Sequence, residues 1–326
     1  MNEQKLLWRQ GNIQGGALLI YKAIMIAAVV AAMLVSVISQ LVQAIAANQP
    51  IIDEATAELL LDMEAATEFS SWGYVPAVII GLAAMMIWKK PFYFRDTLCQ
   101  RGRAMTVGDF FALLSFFLSG QLIYQGLSAG AEWLANGIGF SVAPMLESVT
   151  GSSDSAQMFL YVCLLAPISE ELLFRGLLLR SLEPWGKKFA IVTSAILFGL
   201  YHGHPLQAPF AFYIGLVLGY VTAEHNILWA MVLHMVNNLL LADSLPRIMA
   251  SFPAGLETVV LWMIMIVSGI AALTITIVRW KDIQSYCRQE GIERWKWFRF
   301  WTSPCVLLLA ASSVVDMVIV TLMCFD

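Results

Sequence analysis

Charge is what this chain of 326 residues has least of: Asp, Glu, Lys and Arg together make up only 13%. A soluble domain carries about 25%, so too little polar surface is available to cover a soluble globule of this length. No run or patch of basic residues exists of the kind that binds nucleic acid, and the net charge of −4 gives no such bias. The five cysteines, Cys99, Cys163, Cys287, Cys305 and Cys324, include no Cys-x-x-Cys pair. That excludes a zinc ribbon and argues against a disulfide framework. No His-Glu-x-x-His helix of a zinc peptidase occurs. Internal repeats, low-complexity tracts and a second soluble domain are also missing. What fills the chain is apolar: 59% hydrophobic residues and a mean hydropathy of +0.73.

A membrane-crossing helix needs about 20 mostly apolar residues. Candidate spans run near Lys22–Ala47, Trp72–Trp88, Gly108–Leu127, Gln157–Arg180, Phe189–His202, Ala208–Thr222, Asn226–Leu241, Glu257–Val278 and Ser303–Cys324. The sequence thus predicts an all-α polytopic bundle of about nine spans. The fifth and sixth are short, as suits helices surrounded by protein or bordering a cavity near the midplane. The first apolar stretch follows Lys5 and Arg9 but is too long for a signal-peptide core, and reads as a retained helix.

Basic residues orient the bundle. With the N-terminus cytoplasmic, the inner segments hold Lys5 and Arg9, Lys89 to Arg103, Arg180 to Lys188, and Arg279 to Arg299, which is 16 of the 19 basic residues. Only Arg247 falls in an outer loop; Lys22 and Arg175 lie within spans. A multi-pass protein of the cell (inner) membrane with its C-terminus outside is the expectation. The chain divides into N-terminal helices with an acidic outer loop (1–156), a core (157–241) and C-terminal helices (242–326). The loop Ile51–Ser71 has six acids and no base, and reads as solvated. Trp280, Trp295, Trp297 and Trp301, interleaved with bases, read as interfacial anchors.

Chemistry concentrates in Ala166-Pro-Ile-Ser-Glu-Glu-Leu-Leu-Phe-Arg-Gly176. Ionisable groups at membrane depth cost about 2.5–3.5 kcal/mol each on insertion scales, so three within six positions need a reason. Glu171 and Arg175 are i,i+4 neighbours with the acid first, the favourable order for pairing. Glu170 points about 100° away on a regular helix and is free to face a cavity, where a carboxylate suits proton transfer. A purely structural buried ion cluster is the simpler alternative. Phe198-Gly-Leu-Tyr-His202 follows at the end of the fifth span, and His234-Met-Val-Asn-Asn238 in the seventh. At 1.5 Å per residue, Glu170 comes out about 15 Å, His234 about 12 Å, Asn238 about 18 Å and His202 about 20 Å from the cytoplasmic side. All four can therefore converge. His204 and His225 fall in predicted connections, and Asp316, within the last span, has no nameable partner. Pro167 is expected to kink its helix, and Gly176 and Gly199 to permit close packing.

These three motifs, in this order and spacing, resemble the CPBP family of intramembrane glutamic endopeptidases, also called CAAX-protease, bacteriocin-processing or Abi proteins. The resemblance covers roughly Gln157–Leu241. It implies a conical intramembrane cavity in which Glu170 and His202 activate a water for attack on a peptide carbonyl. It also implies that His234 and Asn238 stabilise the oxyanion, while Glu171, Arg175 and Phe198 support the site. No cofactor and no metal are expected. The substrate is expected to be a membrane-associated peptide or protein met within the lipid bilayer. Two alternatives stand beside this. One is a zinc-dependent variant using Glu170 or Glu171 with His202 and His234. The other is a transporter or non-catalytic scaffold, since intramembrane charges also mark transport paths.

Overall fold

The computed structural model describes residues 2–46, 63–92, 97–150, 155–240, 252–253, 255–288, 291–322 and 324. Among them the structure is helical throughout. In chain order the helices are α1 (Glu3–Ala46), α2 (Met63–Phe92), α3 (Val107–Gly137), α4 (Ala143–Thr150), a composite α5 (156–182), α6 (Lys187–Tyr201), α7 (Gln207–Glu224), α8 (Ile227–Asn237), α9 (Leu256–Val278), α10 (Trp280–Arg288), α11 (Arg294–Trp301) and α12 (Pro304–Leu322). Most of the acidic loop, with Asp53, Glu54, Glu58 and Asp62, lies outside the described residues, as do Leu241, Asp243 and Arg247.

Among the described residues, four helices are long and apolar enough to cross a membrane by length and composition: α1, α3, α9 and α12. Only 11% of the apolar stretch of α1 and 17% of those of α9 and α12 is buried. Their outer faces expose Ile38, Val42, Val267, Ile270, Val315 and Ile319. A surface so apolar belongs in lipid. Shorter apolar helices cover Trp72–Ile87 and Ile227–Leu240. The molecule is a multi-pass membrane protein.

Helices α5 to α8 form the centre. Helix α6 packs along α7, which also touches α8 and α3; α9 covers α3; and α1 lies against α2, α11 and α12. Phe174, Leu177, Leu178, Phe189, Leu197 and Phe198 are buried in this centre. The helix ends follow local chemistry. Thr106 accepts from the amide of Asp109 at 3.0 Å and donates to its carboxylate at 2.8 Å, a reciprocal cap that starts α3. Asn226 accepts from the amide of Trp229 at 3.0 Å and starts α8.

Three features go beyond the sequence reading. Helix α1 begins at Glu3 rather than near Lys22, because its polar first half has partners. Gln14 donates to Ser181 at 2.9 Å, and Asn12 accepts from the amide of Cys305 at 3.2 Å. Gly11 and Gly15, spaced as in small-xxx-small contacts, let this half press on the end of α11 and the start of α12: a Cβ on Gly11 would lie 3.0 Å from the carbonyl of Phe300, and one on Gly15 2.8 Å from backbone atoms of Cys305 and Val306. Second, two of the tryptophans also pack inward. Trp280 is exposed, but Trp297 meets Phe189 edge-on at 5.7 Å and Trp295 meets Trp185 at 6.3 Å. Third, His204 and His225 lie in connections, as expected, and are buried there. His204 Nδ1 accepts from the amide of Gln207, capping α7, and Nε2 bonds the carbonyl of Met145 at 3.0 Å. His225 Nδ1 bonds the carbonyl of Arg103 at 2.9 Å.

Candidate active site

Helix α5 is not a regular helix. Two wide, π-type stretches, Tyr161–Leu165 and Glu171–Leu179, flank the short α segment Ala166–Glu170. Pro167 sits at the start of that segment and has no N–H to donate. The amide of Ala166 bonds back to the carbonyl of Tyr161, five residues earlier. Continuing that pattern, Val162 would need the amide that Pro167 lacks. Its carbonyl is instead satisfied from outside the helix, by Asn238 Nδ2 at 2.9 Å. Wide turns of this kind are uncommon and concentrate at functional positions. The expected kink at Pro167 therefore takes the form of a locally widened helix, stitched to the end of α8.

The acid pair follows at the next turn. Glu171 and Arg175 are wholly buried, and Arg175 Nη1 donates to Glu171 Oε1 at 2.9 Å. Arg175 Nη2 also donates to the carbonyl of Gly215 on α7 at 3.3 Å. Its guanidinium lies over the Phe198 ring, 4.3 Å from the centroid, a cation–π contact strengthened by the absence of water. A buried pair with these supplementary contacts is held firmly; loss of one partner from such a pair costs about 3–5 kcal/mol.

Glu171 has a second neighbour. His234 Nδ1 lies 3.0 Å from Glu171 Oε1, and its Nε2 lies 3.8 Å from Glu170 Oε2. One imidazole thus stands between the two acids, which a regular helix would separate. Glu170 keeps 25% of its side chain exposed, whereas Glu171 keeps none.

His202 ends α6. Its Nδ1 lies 2.8 Å from the carbonyl of Phe198. A carbonyl only accepts, so Nδ1 donates, and the neutral ring then presents an unprotonated Nε2. The Phe-x-x-x-His spacing thereby acquires a physical meaning. Phe198 meets the His202 ring edge-on at 4.7 Å and the His234 ring at 6.1 Å, with Arg175 on its face. Among the described residues no hydrogen bond or ion pair joins His202 directly to Glu170.

Asn238 stands one helical turn beyond His234, but its Nδ2 is engaged with Val162 and its Oδ1 accepts from Asn237 Nδ2 at 3.0 Å. One amide hydrogen of Asn238 remains uncommitted. Gly199 brings α6 against α7: a Cβ there would lie 2.6 Å from the carbonyl of Ala208. Gly176 contributes through its carbonyl, which accepts from Thr97 Oγ1 at 3.0 Å.

The structure therefore brings Glu170, Glu171, Arg175, Phe198 and His234 into one contact network, with His202 on its edge and Asn238 bracing the helix beneath it. No group of three or more His, Cys, Asp and Glu placed to hold a metal ion occurs among the described residues. A cavity of about 360 Å³ lies between Pro184–Phe189 and the Gly291–Lys296 stretch, and one of about 510 Å³ lies beside it against Asn2–Leu6; neither shares a residue with the network. The sequence reading missed the Val162 carbonyl, visible in principle from Pro167 five positions on. It also missed the partner of Asp316, which is Lys22 at 2.5 Å, 294 residues away in the chain; no local spacing could have shown it.

Comparison with known proteins gives one match. No curated protein and no solved structure matches the chain. Residues 152–240 match the family model described as Rce1-like, type II CAAX prenyl endopeptidase, and Glu170, Glu171, Arg175, Phe198, His202, His234 and Asn238 all fall inside that stretch. Over this core, about a quarter of the chain, the sequence is similar to the CAAX prenyl endopeptidases.

Proposed function

We propose that the protein is an intramembrane peptidase of the glutamic type that hydrolyses a peptide bond in a membrane-associated protein or peptide. The observation that carries the reading is the inequality of the two acids. Glu171 is buried and committed to Arg175 and His234, while Glu170 beside it is part-exposed and held only loosely, 3.8 Å from His234 Nε2. A carboxylate left free in such a place is suited to exchange protons.

In this mechanism Glu170 takes a proton from a water, with the unprotonated Nε2 of His202 as the second acceptor. The hydroxide adds to the carbonyl carbon, and the electron pair of the C=O bond moves onto its oxygen. His234 and the uncommitted N–H of Asn238 donate to that oxyanion, a stabilisation that is large in a water-poor site. With its Nδ1 proton held by Glu171, His234 has a donor at Nε2 only as the doubly protonated ring. The proton taken from water then passes to the amide nitrogen, the C–N bond breaks, and acid and amine leave. Glu171 and Arg175 orient His234, and Phe198 spaces the two imidazoles.

The core at 157–241 carries this chemistry, flanked by membrane helices at 1–156 and 242–326. The basic residues support nine crossings, with the N-terminus cytoplasmic, the C-terminus outside, and the site reached from the inner half of the membrane. The family description points to prenylated CAAX proteins as the substrate class to test first. The test uses the purified protein in lipid nanodiscs with a fluorogenic farnesylated peptide ending in a CAAX sequence, and compares the native chain with Glu170→Gln. Cleavage by the native chain, lost in Glu170→Gln and retained in chelator, is the expected result. Equal cleavage by Glu170→Gln would remove Glu170 from its role, and loss of cleavage in chelator reversed by zinc would replace this mechanism with a metal-dependent one.

A further inference from the structure

The ion pair between α1 and α12 takes no part in the chemistry above, and both of its helices lie outside the matched core. Lys22 Nζ is 2.5 Å from Asp316 Oδ2 and 3.2 Å from Ser312 Oγ. Charges within membrane spans are costly, and they mark functional positions by default. Joining α1 to α12 does not by itself explain this pair, because Gly15 already brings the two helices into backbone contact at Cys305 and Val306.

What sets the pair apart is its third neighbour, the segment 201–203. Lys22 Nζ lies 5.9 Å from the centre of the Tyr201 ring. Gly203, at φ +61, faces Asp316 so closely that a Cβ would lie 2.8 Å from Asp316 Cβ and 3.0 Å from Oδ2. The residues immediately before and after His202 are thus both held by the pair. His202 itself caps α6 directly after Tyr201, where the chain turns, and its ring is tied back to that helix through the Phe198 carbonyl. Where the end of α6 sits therefore determines where the imidazole sits.

We infer that Lys22 and Asp316 are positioning residues for His202: the ion pair clamps the turn Tyr201–Gly203 and so fixes the imidazole relative to Glu170. The helices outside the matched core thereby complete the site. This inference rests on the catalytic reading of His202, but its structural half can be read without any substrate.

The test uses the full-length protein in nanodiscs and three variants: Asp316→Asn, Asp316→Glu, and the exchanged pair Lys22→Asp with Asp316→Lys. Slow hydrogen–deuterium exchange at the imidazole Cε1 carbon, followed residue by residue by mass spectrometry at fixed pH, reports on each histidine separately. Asp316→Asn is expected to change exchange at His202 and leave His225 as in the native protein, with the exchanged pair and Asp316→Glu returning His202 toward native behaviour. On the farnesylated peptide, kcat is expected to fall by about tenfold to a hundredfold in Asp316→Asn, with KM unchanged. Native exchange at His202 in Asp316→Asn would overturn the inference. So would an equal change at all four histidines, which is the mark of a support for the whole bundle. If Asp316→Asn does not fold, the exchanged pair and Asp316→Glu decide by the same readout. A response at His202 in a protein that cleaves nothing would sink the peptidase reading and leave the clamp standing; native exchange in a protein that cleaves would do the reverse.

Discussion

Glu171 Oε1 lies 3.0 Å from His234 Nδ1 and 2.9 Å from Arg175 Nη1, so a single buried oxygen receives both an imidazole and a guanidinium. This shared acceptor couples the structural ion pair to the proposed oxyanion donor. It also gives the two adjacent glutamates different consequences on removal.

Glu171→Ala leaves a buried guanidinium without its anion and frees the His234 ring. A loss of about 3–5 kcal/mol is expected, seen as a lower melting temperature in detergent, together with loss of cleavage. Glu170→Ala removes a part-exposed group whose nearest polar contact is 3.8 Å away, so cleavage should be lost with the melting temperature nearly unchanged. Matched melting and cleavage assays decide; the opposite pattern would exchange the two roles.

Asn238 and Pro167 should be coupled. Asn238→Ala leaves the Val162 carbonyl without its donor, at a cost of about 1–3 kcal/mol. Pro167→Ala restores a backbone N–H able to reach that carbonyl within the helix. Unfolding measured on both single variants and the double variant should show Asn238→Ala costing less in the Pro167→Ala background. Additive effects would mean that the carbonyl draws nothing from Asn238.

Gly199→Ala places a methyl group 2.6 Å from the carbonyl of Ala208. Backbone cannot yield as a side chain does, so α6 must move away from α7. Destabilisation of about 1–3 kcal/mol is expected from such overpacking, with a fall in cleavage because His202 ends the displaced helix. A native melting temperature for this variant would show that the helices separate without penalty.

Topology can be read from cysteines already present. Cys99 and Cys287 are exposed and fall in segments assigned to the cytoplasmic side. Both should react with a membrane-impermeant maleimide from that side only. With both replaced by serine, a cysteine introduced at Phe252 should label only from the opposite face. Labelling of all three positions from one side would end the nine-crossing arrangement.

Much of the site was legible because its spacings are local. Glu171 and Arg175 pair at i,i+4, and Phe198 and His202 contact each other at the same interval. Four of the expected spans, on α1, α3, α9 and α12, coincide with helices long and apolar enough to cross a membrane among the described residues, because apolar runs between charged segments leave the backbone little choice. What escaped the sequence depends on chain segments far apart or on helix irregularity. The widening of α5 around Pro167 brings both acids to one imidazole, where a regular 3.6-residue turn would have parted them. The burial of His225 depends on the carbonyl of Arg103, 122 residues away. The early start of α1 depends on glycine contacts with a helix at the other end of the chain.

The Lys22–Asp316 pair joins two helices whose charged residues are 294 positions apart in the chain. Helix α1 is made well before α12, so the ammonium of Lys22 has no carboxylate partner until α12 is in place. A copy in which α12 stays out of the bilayer keeps an unpaired cation there, at a cost of about 2.5–3.5 kcal/mol. It also leaves Gly15 uncovered. Seating of α12 is thus coupled to neutralising a charge at the opposite end of the fold.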